Sequence, residues 1–104
     1  MNRISKLKEL LELNNEDSFL QHALALEYIK EGDDISAKIL FENILTQDPN
    51  YAGSYYHLGK LLERLNEIPA AINWYEKGMT VCKTVNDRHA YSELQAALEE
   101  INDQ

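Results

Sequence analysis

Cysteine, proline, glycine and positive charge are all scarce in this sequence, and each shortage removes a class of protein. One cysteine, Cys82, among 104 residues cannot form an internal disulfide, so a packed core in a reducing, cytoplasmic setting is expected. Two prolines and four glycines are too few for a disordered chain, and no Ser- or Pro-rich linker divides it. Continuous apolar runs are missing too. The opening MNRISKLKELLELNNED carries charge throughout, which argues against a membrane span and a secretory signal. Ten basic residues against eighteen acidic ones leave a net charge of −8. Such a surface repels phosphate backbones, so nucleic acid is not expected as a partner; a membrane surface is not expected either, since Lys6 and Lys8 of the leading stripe are nearly matched by Glu9 and Glu12. GxSxG, P-loop, HExxH and paired-cysteine motifs are all absent, so no catalytic residue and no cofactor is assigned. His22, His57 and His89 fall on three different helices, with no two at the i, i+4 spacing that presents metal ligands from one face; no metal is expected.

What remains is one domain's worth of helix-forming sequence, long enough to bury roughly 65% of the surface its unfolded chain exposes. Its organising stretch is Ala52 to Gly78, AGSYYHLGKLLERLNEIPAAINWYEKG. Tyr55, Leu58 and Leu62 share a helical face with Gly59. Asn66 breaks the pattern, and Pro69 suits the first turn of a new helix, where its missing N–H has no intrahelical partner. The second helix carries Ala71, Ile72, Tyr75, Gly78 and Met79 on its inner side. Small residues on each helix (Gly59, Ala71, Gly78) opposite large ones allow close approach, so the stretch predicts an antiparallel helical hairpin.

The hairpin occurs twice. A shift of 34 residues pairs Leu24 with Leu58, Ala25 with Gly59, Tyr28 with Leu62, Ala37 with Ala71 and Phe41 with Tyr75. It also pairs Gly32 with Asn66, the two residue types that most readily take the left-handed conformation ending a helix. With these positions the sequence resembles the tetratricopeptide repeat (TPR) family, whose pattern is W-x2-L-G-x2-Y, A-x3-F, P. The second copy supplies Tyr55, Leu58, Gly59, Leu62, Ala71 and Tyr75; the first supplies Gln21, Leu24, Ala25, Tyr28, Ala37, Phe41 and Pro49. Gln21 departs from the pattern at the first aromatic position, which suggests that this helix is covered differently. Lys83 stands where the closing proline belongs, so the helix through Trp74 is expected to run on past Cys82.

In chain order, Ile4, Leu7, Leu10 and Leu11 form an apolar stripe in a leading helix over 1–14, read as a cap on the first hairpin. Asp17 or Ser18 caps the next helix, Gly32 closes it, Asp34 caps the following one, and Asp48-Pro49-Asn50 stops that. Repeat one therefore spans 18–51 and repeat two 52–85. Over 87–102, Tyr91, Leu94, Leu98 and Ile101 mirror Tyr55, Leu58 and Leu62 if about three residues are inserted after Lys83. This helix is read as the cap at the other end, with Glu93, Glu99, Glu100 and Asp103 on its outer face. The sum is a single all-α domain of six antiparallel-packed helices, which the resemblance makes a right-handed solenoid.

The resemblance also implies a site. In TPR proteins the first helix of each pair lines a concave groove, which here would comprise Phe19, His22, Leu26, Ile29 and Lys30 from one helix and Tyr56, Lys60, Glu63 and Arg64 from the next. Tyr56 follows core residue Tyr55 by one position and is turned about 100° from it. One end of this groove reads as apolar and the other as cationic, through Lys60 and Arg64, unless Glu27, Glu63 or Glu67 neutralises them. The family's carboxylate clamp wants a basic residue and an asparagine where His22 and Leu26 stand, so that clamp is not implied. The resemblance thus implies a non-catalytic adaptor or scaffold that binds a protein or peptide partner carrying an apolar residue beside acidic residues or a free C-terminus. The alternative is a structural module that self-associates through its terminal helices. Monomer or weak homodimer is the expected state.

Overall fold

A computed structural model describes residues 2–103; Met1 of the leading helix and Gln104 lie outside the described residues. Six helices follow one another, α1 (Arg3–Leu13), α2 (Ser18–Lys30), α3 (Asp34–Gln47), α4 (Gly53–Arg64), α5 (Ile68–Val85) and α6 (Arg88–Asn102), with no strand among the described residues. The fold is an all-α helical repeat. Each helix packs on its sequence neighbours, and α4 also meets α6.

The helix ends show why the chain breaks where it does. Asn2, Asp17, Asp33 and Asp87 each accept a hydrogen bond from a first-turn N–H, at 2.8, 2.9, 3.1 and 3.0 Å. The cap of α3 is therefore Asp33 and not Asp34, which sits one position inside the helix and is free to pair elsewhere. Gly32, Asn66 and Asn86 have φ of 81°, 60° and 59°. At each, the following N–H reaches back to the last turn, Asp33 to Tyr28 at 2.8 Å, Glu67 to Leu62 at 2.8 Å and Asp87 to Cys82 at 2.9 Å, the Schellman closure. The shift of 34 thus aligns turns as well as apolar positions, and α5 does run past Cys82 to Val85.

The core is built from the two hairpins. Ala25, Ala37, Phe41, Ile44, Tyr55, Leu58, Leu61, Ala71, Tyr75 and Leu94 are all fully buried. Between α4 and α5 two tyrosines cross two glycines. A Cβ on Gly59 would collide with the Tyr75 ring, and one on Gly78 would lie 2.6 Å from Tyr55 Cβ. Each ring occupies the space that a side chain on the facing helix would need.

Gln21 shows how the departure from the aromatic pattern is accommodated. Tyr55 donates its hydroxyl to the Pro49 carbonyl at 2.6 Å. One period earlier, Gln21 Nε2 donates to the Asn15 carbonyl at 3.1 Å, while its Oε1 accepts from Asn43 at 2.8 Å. The amide reproduces the phenol's hydrogen bond to the equivalent carbonyl, and it is 2% exposed with both ends satisfied.

The first repeat meets the second through a histidine cluster. His22 on α2 hydrogen-bonds the buried Ser54 hydroxyl on α4 at 2.8 Å, and its ring lies 5.4 Å from His57 and 5.5 Å from Phe41. Burial, then the neighbouring His57, pushes the His22 pKa down to about 4. Burial also lowers His57, against the opposing pull of Glu93 and with a smaller contribution from Arg64.

The sequence placed Tyr91, Leu94, Leu98 and Ile101 on the inner face of the last helix. In the structure Ala90, Leu94 and Ala97 are its buried residues, while Tyr91, Leu98 and Ile101 are half-buried. α6 packs against α5 and α4 but has no helix on its far side among the described residues, so its aromatic and leucine positions are only partly covered.

Two predictions follow from this packing. Gly59→Ala should lower stability, because an overpacking cost of about 1 to 3 kcal/mol exceeds the helix-propensity gain of up to about 1 kcal/mol; an unchanged melting temperature would contradict the interlock. The histidines set a pH dependence. Unfolded histidine binds its proton near pH 6.5 and folded His22 only near 4, so between these values the unfolded chain holds more protons. The stability contributed is complete above about pH 6.5 and declines as pH falls toward about 4. His22→Asn should flatten the melting temperature against pH in that window, and an unaltered slope would show that His22 does not set it.

Candidate functional site

The residues expected to line a groove fall on α2 and α4, and the structure separates them into three groups. Phe19, His22, Leu26 and Lys30 line one depression of about 350 Å³ together with Arg3, Ala23 and Glu27. Phe19 is 69% exposed, the most open large apolar residue of this group. Leu26 and Ile29 are half-buried and pack against the core. Phe19 and His22 also border a second hollow of about 550 Å³ at the start of α4, with Tyr51, Gly53 and Val85.

Tyr56 and Lys60 line a different depression, of about 210 Å³, whose other wall is α6: Glu93, Ala96, Ala97 and Glu100. Tyr56 is half-buried, edge-on to His57 with ring centroids 5.5 Å apart. Glu63 is turned inward. Its carboxylate accepts from the Tyr75 hydroxyl, and burial, then this bond, raises the Tyr75 pKa.

The cationic end expected from Lys60 and Arg64 is absent. Arg64 forms a two-pronged pair with Asp34 on α3, Nε to Oδ2 and a terminal nitrogen to Oδ1, both at 3.0 Å. That bond holds the guanidinium above its ordinary pKa, and geometry of this kind is the strong form of a surface ion pair. Lys60 lies 3.8 Å from Glu63 and 3.8 Å from Glu100. Of the neutralisers the sequence suggested, only Glu63 takes that part. Glu27 instead binds Arg3 and Lys30 at 3.4 and 3.1 Å, and Glu67 binds Lys38 at 3.2 Å.

The face therefore has two ends of opposite balance. Near α2 one carboxylate, Glu27, is shared by two cations; near α6 one cation, Lys60, is shared by two carboxylates, with Glu93 beside them.

The residues that sequence reasoning missed are those of α6. Pairing Tyr91 with Tyr55 and Leu94 with Leu58 sets an offset of 36, two beyond the period and not three. The same offset puts Ala96 where Lys60 stands and Glu100 where Arg64 stands. α6 is thus the equivalent of α2 and α4 and carries a third row of the face. Glu93 and Glu100 border the depression with Tyr56 and are not confined to the outer side.

His22 and His57 do come together, but His89 lies with Glu93 at 3.8 Å and is otherwise exposed. No group of three His, Cys, Asp or Glu side chains among the described residues could hold a metal ion. Cys82 is buried, and burial, then Asp87, raises its pKa. No described helix is long and apolar enough to cross a membrane.

Comparison with known proteins agrees with this architecture. A family model described as tetratricopeptide repeat matches residues 52–84. A crystal structure of a tetratricopeptide repeat domain protein from Salinibacter ruber is 40% identical and covers 84% of this chain and 97% of that one, with a TM-score of 0.81. A TPR repeat-containing protein of Pseudomonas aeruginosa is 24% identical over 99 residues, 95% of this chain and 94% of that protein. Aspartyl/asparaginyl beta-hydroxylase of Mus musculus is 32% identical over 73 residues, but this chain spans only 10% of its length. Repeat period, helix ends, interlocked hairpin and a relative matched over nearly its whole length lead to one conclusion: this chain belongs to the tetratricopeptide repeat family.

Proposed function

We propose that this chain is a non-catalytic protein-interaction module that holds a segment of a partner protein along the face shared by α2, α4 and α6. The observation that carries the reading is Phe19: a large apolar side chain, 69% exposed, beside Leu26 and His22 in a lined depression. An apolar group left open next to a hollow gains free energy when a partner's side chain covers it. The domain acts as one unit in this reading, with α1 as its leading cap.

Self-association through the ends is the second reading, and two residues weigh against it. Close packing between paired helices here uses small residues on each helix: Gly59 receives the Tyr75 ring, and Ala25, Ala37 and Ala71 are fully buried. In the repeat register Gln95 stands where Gly59 does, and Arg3 stands where Ala37 and Ala71 do. Both are exposed. Long polar side chains at those positions obstruct a further helix at the spacing the interior helices use, so each end resists being extended by another copy.

Two measurements test this. In affinity capture from cell lysate, Phe19→Asp should lose the proteins that the parent retains while its melting temperature stays within about 1 °C, since exposed substitutions usually change stability by under 0.5 kcal/mol. Retention of the same proteins would remove the face from the function. Sedimentation across a dilution series should give one species for the parent, and a concentration-dependent heavier one for Arg3→Ala/Gln95→Gly, in which both small positions are restored; a parent that grows heavier on concentration would favour self-association.

A further inference from the structure

Resting on that reading of the face, we infer that its α4/α6 end is a subsite for a lysine or arginine of the partner, so that the recognised segment carries an apolar residue for Phe19 and Leu26 and a basic residue toward α6. This reverses the charge that Lys60 and Arg64 suggest when read as sequence.

Three features of the depression between α4 and α6 support it. Tyr56 lines it, an aromatic side chain of the kind that can take part in binding a cation. Its rim carries Glu93 and Glu100, with side chains 45% and 71% exposed, and its remaining wall is Ala96 and Ala97, too short to fill the space. Arg64, the other basic residue assigned to this end, is committed to Asp34 at 3.0 Å and is not available to oppose an incoming charge.

Lys60 already behaves as the cation this site accommodates. It lies 3.8 Å from each of two carboxylates, beyond the 2.7–2.9 Å of a well-formed charged hydrogen bond, and the contact to the exposed Glu100 is the one readily exchanged. A partner's guanidinium can take the Glu100 side while Lys60 keeps Glu63. The opposite end discriminates against the same residue. There Arg3 and Lys30 already share Glu27, and a third positive charge would be repelled. The two ends together fix the direction in which a segment lies.

The test is selection from a random-peptide phage library on the immobilised parent, on Glu93→Lys/Glu100→Lys and on Phe19→Asp. The parent should enrich peptides with Lys or Arg near an apolar residue, and a synthetic copy of the leading peptide should bind the Glu93→Lys/Glu100→Lys protein about threefold to tenfold more weakly, the yield of one or two exposed ion pairs. That variant should itself enrich Asp or Glu in place of the basic residue. Peptides that are acidic or indifferent to charge on the parent, or unchanged on the charge-reversed variant, would overturn the basic subsite and leave the face intact as a binding surface. If nothing enriched on the parent is lost on Phe19→Asp, the face itself is wrong and the subsite falls with it.

Discussion

The architecture depends on two tyrosines crossing two glycines. Tyr75 lies over Gly59 and Tyr55 over Gly78, so α4 and α5 approach to a distance that no side chain at either glycine would permit. α4 also packs against α3 and α6, and the closeness of the α4/α5 pair lets the Tyr75 hydroxyl reach Glu63. That bond holds the Glu63 carboxylate, which lies as near to Lys60 as Glu100 of α6 does, at 3.8 Å. A choice of two glycines in the core thus reaches, through one phenol and one carboxylate, the charge balance on the face proposed to bind.

Much of this was legible in the sequence because it is periodic. The spacing of Leu24, Ala25, Tyr28, Leu58, Gly59 and Leu62 determines which face is buried, and Gly32 and Asn66 determine where helices end; both are local properties of the backbone. Gln21 was legible only as an exception. Its substitute hydrogen bond to Asn15 becomes apparent once Tyr55 is seen to bond Pro49 one period later.

The charge of the face was not legible, and the reason is distance along the chain. Arg64 and Asp34 are 30 residues apart, and Lys60 meets Glu100 across a helix that the sequence treated as a cap. Helical spacing shows that Lys60 and Arg64 share a side of α4, but it cannot show which acids other helices bring to them. Burial is fixed by pattern; pairing is fixed by tertiary contact. The α6 register was nonetheless present in Tyr91 and Leu94, and following it would have placed Glu100 in the row of Arg64.

The ends of the stack show how one repeat can be continued or stopped by a single position. Inside the chain Gly59 receives the ring of Tyr75 from the paired helix, and one period earlier Ala25 and Phe41 occupy the matching positions, with both rings fully buried. At the last helix Gln95 occupies that position, so Tyr91 and Leu98 stay half-covered and no ring can cross α6 at the same spacing. Among the described residues no helix covers one side of α6, and on the other side Glu93 and Glu100 stand beside Tyr56 and Lys60. A bulky residue at the small position and an acidic end of the face are carried by the same helix, because its inner positions keep the repeat pattern at Leu94 while Gln95 and Glu100 depart from it. A partner bound as proposed would meet a surface whose open apolar residue, Phe19, belongs to the first repeat and whose exposed carboxylates belong to the last helix, and both would set its direction.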